Sequence, residues 1–191
     1  MEYQKLYLTN NECFKREKEM TPTGIVVHST GVNNPYLRRY IGPDDGVLGP
    51  NPGANHWNQP NIKKCVHGFI GYDKDKQVRC YNTLPWHYRS WGCAKGPKGS
   101  FNKSHIQFEI CEDDLLDGDY FNDAFSLAID LCAHLCDTFG ISVERIVSHK
   151  EAFRQGFASD HGDPHTWLKK HDWTMDDFRR RVFTKIQNNQ C

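Results

Sequence analysis

VHGFIGYDKDKQVRCYNTLPW, residues 66–86, carries two runs of strand-forming residues on either side of a DKDK tip. Phe69, Ile70 and Tyr72 lead into the tip and Val78, Cys80 and Tyr81 follow it, the pattern of a β-hairpin. A hairpin makes one antiparallel pair. Outside it, strand and helix signals alternate, which favours parallel pairing with helices laid on the sheet. The two together predict an α/β chain with a mixed central β-sheet flanked by helices.

Working outward, GIVVH (24–28) is a short β-branched run that stops at a polar turn, STGVNNP, and reads as a buried strand ending on His28. HIQFEIC (105–111) alternates, with Ile106, Phe108 and Ile110 on one face and His105, Gln107 and Glu109 on the other. ERIVSH (144–149) reads as another short strand that ends on a histidine. Between them, Phe121, Phe125, Ala128, Leu131, Cys132, Leu135 and Phe139 recur at three- and four-residue intervals, predicting a helix over about 120–139. Asp119 is placed to cap its start and Gly140 to stop it. Thr174 opens a last helix with Met175, Phe178 and Val182 on one face. Residues 36–60, rich in Pro, Gly and Asn, are expected to loop over the surface.

The 191 residues suit a single domain, with residues 1–20 as an N-terminal extension and a core over about 21–185. Lys plus Arg and Asp plus Glu balance at 24 each, which argues against nucleic acid or an anionic membrane as partner. No run approaches the roughly 20 apolar residues of a membrane span. The first 20 residues are polar and charged and resemble no signal peptide, so synthesis in the cytoplasm is expected. Of the eight cysteines, Cys132 and Cys136 fall on the apolar stripe, no CxxC pair occurs, and reduced thiols are expected.

His28 and His149 share a context, each ending a β-branched run before a polar turn, where strand ends of α/β folds open onto a ligand crevice. DHGDP (160–164) adds nitrogen and oxygen donors. Catalytic zinc takes three protein ligands and leaves a fourth position open. His28, His149 and either Asp163 or His161 would meet that need. The plainer reading of DHGDP is an Asx-type turn ended by Pro164. Glu109 is either a solvent-facing strand residue or a general base.

Six blocks then align in order with one family: TPTGIVVHSTG, VHGFIGYDKDKQVRCYNTLPWHYRSWGCA, SHIQFEICED, IVSHKEA, GFASDHGDPHTW and TMDDFRRRV. From about residue 20 to residue 183 the chain resembles the zinc-dependent N-acetylmuramoyl-L-alanine amidases of phage endolysins and bacterial autolysins. T7 lysozyme and the peptidoglycan recognition proteins belong to the same superfamily. The resemblance implies a zinc site in a surface groove, with His28, His149 and Asp163 as Zn2+ ligands. It implies Glu109 as catalytic glutamate and His161 as the residue stabilising the oxyanion. Trp86, His87 and, with its role open, His67 match positions beside the substrate groove. Asp160 stands where close relatives often have Asn. The implied partner is bacterial peptidoglycan, cleaved between muramic acid and L-alanine by a monomer released to the cell wall. Two alternatives stand beside it: a non-catalytic peptidoglycan-binding module of the same fold, and a cytoplasmic amidase acting on soluble muropeptides.

Overall fold

The computed structural model describes residues 3–189. Six strands form one sheet: β1 (Gln4–Lys5), β2 (Gly24–Ser29), β3 (Gly68–Tyr72), β4 (Val78–Asn82), β5 (His105–Ile110) and β6 (Ile146–Ser148), in the order β1-β4-β3-β5-β2-β6. The hairpin β3–β4 is the antiparallel pair, and every other neighbouring pair is parallel. The mixed sheet expected from residues 66–86 is the observed one.

Alternation along β5 sorts the two faces as the sequence indicates. Ile106, Phe108 and Ile110 join Ile25, Val27 and Ile70 in a core covered by the long helix α2 (Gly118–Phe139) and by α5 (Met175–Asn189). Helix α2 buries Phe121, Phe125, Ala128, Leu131, Cys132 and Leu135 along one stripe. Its cap is Asp117, two residues before the one expected, and it accepts from the N–H groups of Asp119 and Tyr120, both at 3.0 Å. Gly140 ends the helix in the left-handed conformation at φ 63°, where a side chain would be strained. Thr174 caps α5, its Oγ1 accepting from Asp177 N at 3.1 Å.

The other face of β2 and β5 carries His28, His105, Gln107 and Glu109. Over it lie the segment 91–103, the helix α3 (His149–Gln155) and the loop after α3, joined by the apolar contacts of Val26, Cys93, Phe101, Val147, Ala152 and Ala158.

One expectation fails here. Residues 36–60 do not simply loop over the surface: Leu37, Tyr40, Ile41, Leu48 and Trp57 form a second core with Phe69 and Tyr81. Their apolar residues follow no period because no helix or strand repeats there; a single turn of 3-10 helix (Leu37–Arg39) and side-chain bonds hold the path. Residues 3–20, ahead of the expected core, pack on the sheet. β1 pairs with β4, Leu8 is fully buried, and Asn11 on the short helix α1 (Glu12–Lys15) donates to Trp57 O and Lys64 O. Charged residues disguise this segment because few of its side chains point inward. The seven described cysteines are all free and buried. No helix among the described residues is long and apolar enough to cross a membrane.

Candidate metal and catalytic site

Parallel register sets the first two site residues side by side, since His28 near the end of β2 is the Cα partner of Glu109 on β5. The third arrives differently from expectation. His149 does not end a strand; β6 stops at Ser148, and His149 is the first residue of α3. Ser148 forms a capping box with Glu151, so a strong helix signal begins at once and removes His149 from the strand. The result still points His149 at His28. Asp163 comes from the loop between α3 and α4 (His165–Lys170).

The Nδ1 atoms of His28 and His149 lie 3.1 Å apart, Asp163 Oδ2 lies 3.1 Å from His28 Nδ1, and Asp163 Oδ1 lies 3.3 Å from His149 Nδ1. Two buried ring nitrogens and a carboxylate thus converge, each able to offer a lone pair to one point between them. A tetrahedral zinc with bonds of ~2.0–2.1 Å separates its ligands by about 3.3–3.4 Å. The donor set and its spacing therefore fit zinc. Burial works against ionising Asp163, but its bonds to His149 and His28 hold its carboxyl well below the usual range. Burial also opposes charge on His28, and there the Asp163 hydrogen bond and the Glu109 charge prevail and raise its pKa. Burial holds the pKa of His149 below its ordinary value.

Each histidine is held from behind. Gln107 Oε1 lies 2.9 Å from His28 Nε2, and Ser159 Oγ lies 3.4 Å from His149 Nε2. The orientation of the Gln107 amide is itself fixed. Its Nε2 donates to Asn102 Oδ1 at 2.8 Å, and that oxygen also accepts from Gly92 N and Cys93 N, both at 3.1 Å. Backbone donors thus fix Asn102, Asn102 fixes Gln107, and Gln107 presents an acceptor to His28. His28 must then carry its proton on Nε2, which leaves Nδ1 as the nitrogen that faces the other two donors.

These donors open on a cavity of about 230 Å3 that Glu109, His161, Ser29 and Thr30 also line. Glu109 Oε2 is buried without a hydrogen-bond partner, and burial raises the Glu109 pKa to about 7. It is not the solvent-facing residue that alternation allows. His161 is exposed and stacks on His149 with centroids 4.7 Å apart and planes 11° apart. Asp160 reaches Lys150 Nζ at 2.9 Å.

The residues expected beside the groove fall elsewhere. His67 is fully buried, with Nε2 2.8 Å from Tyr88 O and Nδ1 accepting from Gln107 N at 3.0 Å, so no ring nitrogen remains for a substrate. Trp86 stacks on His67 and donates to Tyr3 Oη at 3.3 Å, and His87 packs edge-on against Tyr88. None of the three lines the cavity. Trp57, Lys64 and Trp91 line it instead, with Lys64 Nζ 4.7 Å from the Trp57 ring centre. A half-exposed tryptophan such as Trp91 is a surface signal that periodicity does not register.

The family profile described as N-acetylmuramoyl-L-alanine amidase matches residues 18–166. The fold is also that of several solved structures. A Staphylococcus aureus hydrolase, AmiA, solved with its ligand, superposes with a TM-score of 0.74 at 20% identity, covering 100% of this chain and 85% of that one. PlyL gives 0.68 at 22% identity (95% and 97% covered), and the catalytic domain of XlyA 0.67 at 24% (95% and 99%). No curated protein sequence matches.

Proposed function

This chain belongs to the N-acetylmuramoyl-L-alanine amidase family, which hydrolyses the amide between muramic acid and the L-alanine of the peptidoglycan stem, and from that premise we propose how its own residues carry the reaction. His28, His149 and Asp163 would hold zinc. Zinc held by them would supply a Lewis acid able to acidify water toward a pKa of ~7.

The observation that carries the reading is the joint placement of this donor triangle and an unpartnered, desolvated carboxylate on one cavity. Burial raises the pKa of Glu109, which suits a carboxyl that takes a proton and gives it back. Glu109 takes the proton of the attacking water as it adds to the lactyl carbonyl, then delivers a proton to the alanine nitrogen as the C–N bond breaks. An amide nitrogen leaves poorly without that delivery. His161, at the cavity mouth, donates to the carbonyl oxygen as charge grows on it. Such a donor contributes on the order of 3 kcal/mol. The substrate is peptidoglycan and the place of action the cell wall; Asp160 accepts from Lys150 Nζ beside the loop.

The test is digestion of purified cell wall with and without a chelator, followed by mass spectrometry of the new ends. Free L-alanine amino termini that vanish on chelation are expected, whereas new reducing sugar ends would overturn the reading. Glu109→Gln is expected to retain zinc and lose most turnover; digestion at the normal rate would remove Glu109 from the mechanism.

A further inference from the structure

Behind Trp91, which forms a common wall with the catalytic cavity, lies a second cavity of about 460 Å3. Arg16, Lys18, Lys63, Arg89 and Lys103 line it, and no acidic residue does. In a chain whose acidic and basic residues balance, five cations around one hollow are a marked segregation of charge. None of the five enters an ion pair among the described residues, although ten ion pairs form elsewhere. The cations come from four separate stretches of chain, so the fold and not local composition gathers them. A second observation is independent of charge. Ser90 also lines the hollow, is 3% exposed, and its Oγ has no hydrogen-bond partner. A buried hydroxyl left unpaired at a cavity wall is available to a partner within that cavity.

We propose that this cavity is a carboxylate subsite: the stem peptide that leaves the catalytic cavity crosses Trp91 and sets its carboxylates against these cations. The proposal rests on the amidase reading given above and adds the part of the substrate that this chain grips. Chemistry selects the ligand class. Lys and Arg without counter-ions favour an anion, guanidinium groups match carboxylates in two-point contact, and an added hydroxyl donor completes an anion's shell. An extended peptide advances about 3.5 Å per residue, so the second and third stem residues lie about 7–10 Å past the scissile amide, and Trp91 is the residue the two cavities share. Trp91, 51% exposed, offers the apolar surface that the intervening backbone crosses. The grip is electrostatic and near the surface, so salt weakens it.

The experiment compares the zinc-loaded chain with its Lys18→Glu/Lys103→Glu variant on two soluble muropeptides, one with free stem carboxylates and one with those carboxylates converted to amides. The variant is expected to raise KM about tenfold on the free acid, to leave kcat within about twofold, and to leave the amidated substrate unaffected. Ser90→Ala is expected to raise KM on the same substrate in the same selective way. An unchanged KM on the free acid, or an equal rise on both substrates, overturns the proposal. A loss confined to whole walls that bear phosphate polymers, with soluble muropeptides unaffected, also overturns it and assigns the hollow to phosphate. Lys18→Gln/Lys103→Gln, with its melting temperature checked, separates misfolding from lost charge. If the wild-type chain cleaves neither substrate, the amidase reading fails by itself. Calorimetric binding of the free-acid muropeptide to wild type and to the charge-reversed variant then decides the subsite, with about tenfold weaker binding by the variant supporting it and equal binding overturning it.

Discussion

Replacing Gln107 by Leu tests whether the site is built from behind. The side chains are close in volume, so the change removes polar atoms without opening a cavity. Asn102 Oδ1 keeps its bonds from Gly92 N and Cys93 N, which confines the loss to the His28 side. There the 2.9 Å bond to Nε2 disappears, and the N–H of a ring only 1% exposed is left with no acceptor. An unpaired buried donor costs about 1–3 kcal/mol. The cost falls most heavily on the metal-bound form, which needs the proton on Nε2 and the ring held with Nδ1 inward. Loss of such an outer partner weakens metal binding about 10–100-fold, or roughly 1.4–2.7 kcal/mol, within the same range. The assay is competition for zinc against a chelator of known affinity at fixed pH, with wild type and variant side by side. A second readout is the rise in melting temperature at a given free zinc concentration, which shrinks by the same free energy. Zinc affinity within about twofold of wild type would refute the argument that Gln107 fixes the ring.

Gly92→Ala attacks the same support from the opposite side. Its Cβ would stand 2.6 Å from Gln107 Oε1 and 2.8 Å from Val66 Cγ1, so zinc affinity is expected to fall while secondary structure by circular dichroism stays intact. Leu8→Ala, at a fully buried position in the second core, is expected to destabilise the fold by about 2–5 kcal/mol in urea unfolding; a loss under about 0.5 kcal/mol would show that the first residues are an appendage after all. Burial holds the pKa of His105 at about 3 and that of His67 at about 4, below the ~6.5 of an unfolded chain. The unfolded chain therefore binds protons first as the pH drops, and stability that is complete above pH ~6.5 is lost as pH falls toward 4. His105→Phe, which preserves the stack on Phe101, is expected to flatten the slope of unfolding free energy against pH between about 6.5 and 4.5; an unaltered slope would refute the assignment.

Much of the sheet was legible because its signals are local. The hairpin at 66–86, the alternation of β5 and the apolar stripe of α2 each report a repeat of two or of about 3.6 residues, and each stands where that repeat places it. His28, His149, Asp163 and Glu109 could be singled out from residue type and from family likeness. The rest is non-local. A two-residue strand such as β1 is too short to show a period, and its partner β4 lies more than seventy residues away. The core in residues 36–60 rests on irregular turns, for which sequence offers no repeat. His149 was assigned to the wrong element because the Ser148 capping box lies beneath a β-branched run. Trp86 and His87 were expected at the groove and Trp91 was not, although all belong to one stretch: aromatic content alone does not tell which ring the backbone turns toward the cavity.

The three metal donors are also far apart along the chain. His28 is separated from His149 by 121 residues and from Asp163 by 135. A cation held by all three is in effect a staple across most of the polypeptide, in a molecule whose described cysteines are all unpaired. Loop-closure entropy grows with the length enclosed, so this one coordination centre constrains the unfolded ensemble as a long-range cross-link would. It also sets an order of events. The donors converge only once β2, β6 and α3 have docked, so capture of a metal by all three would come late in folding. A metal held there would act as a clasp on the fold as well as a tool for the reaction.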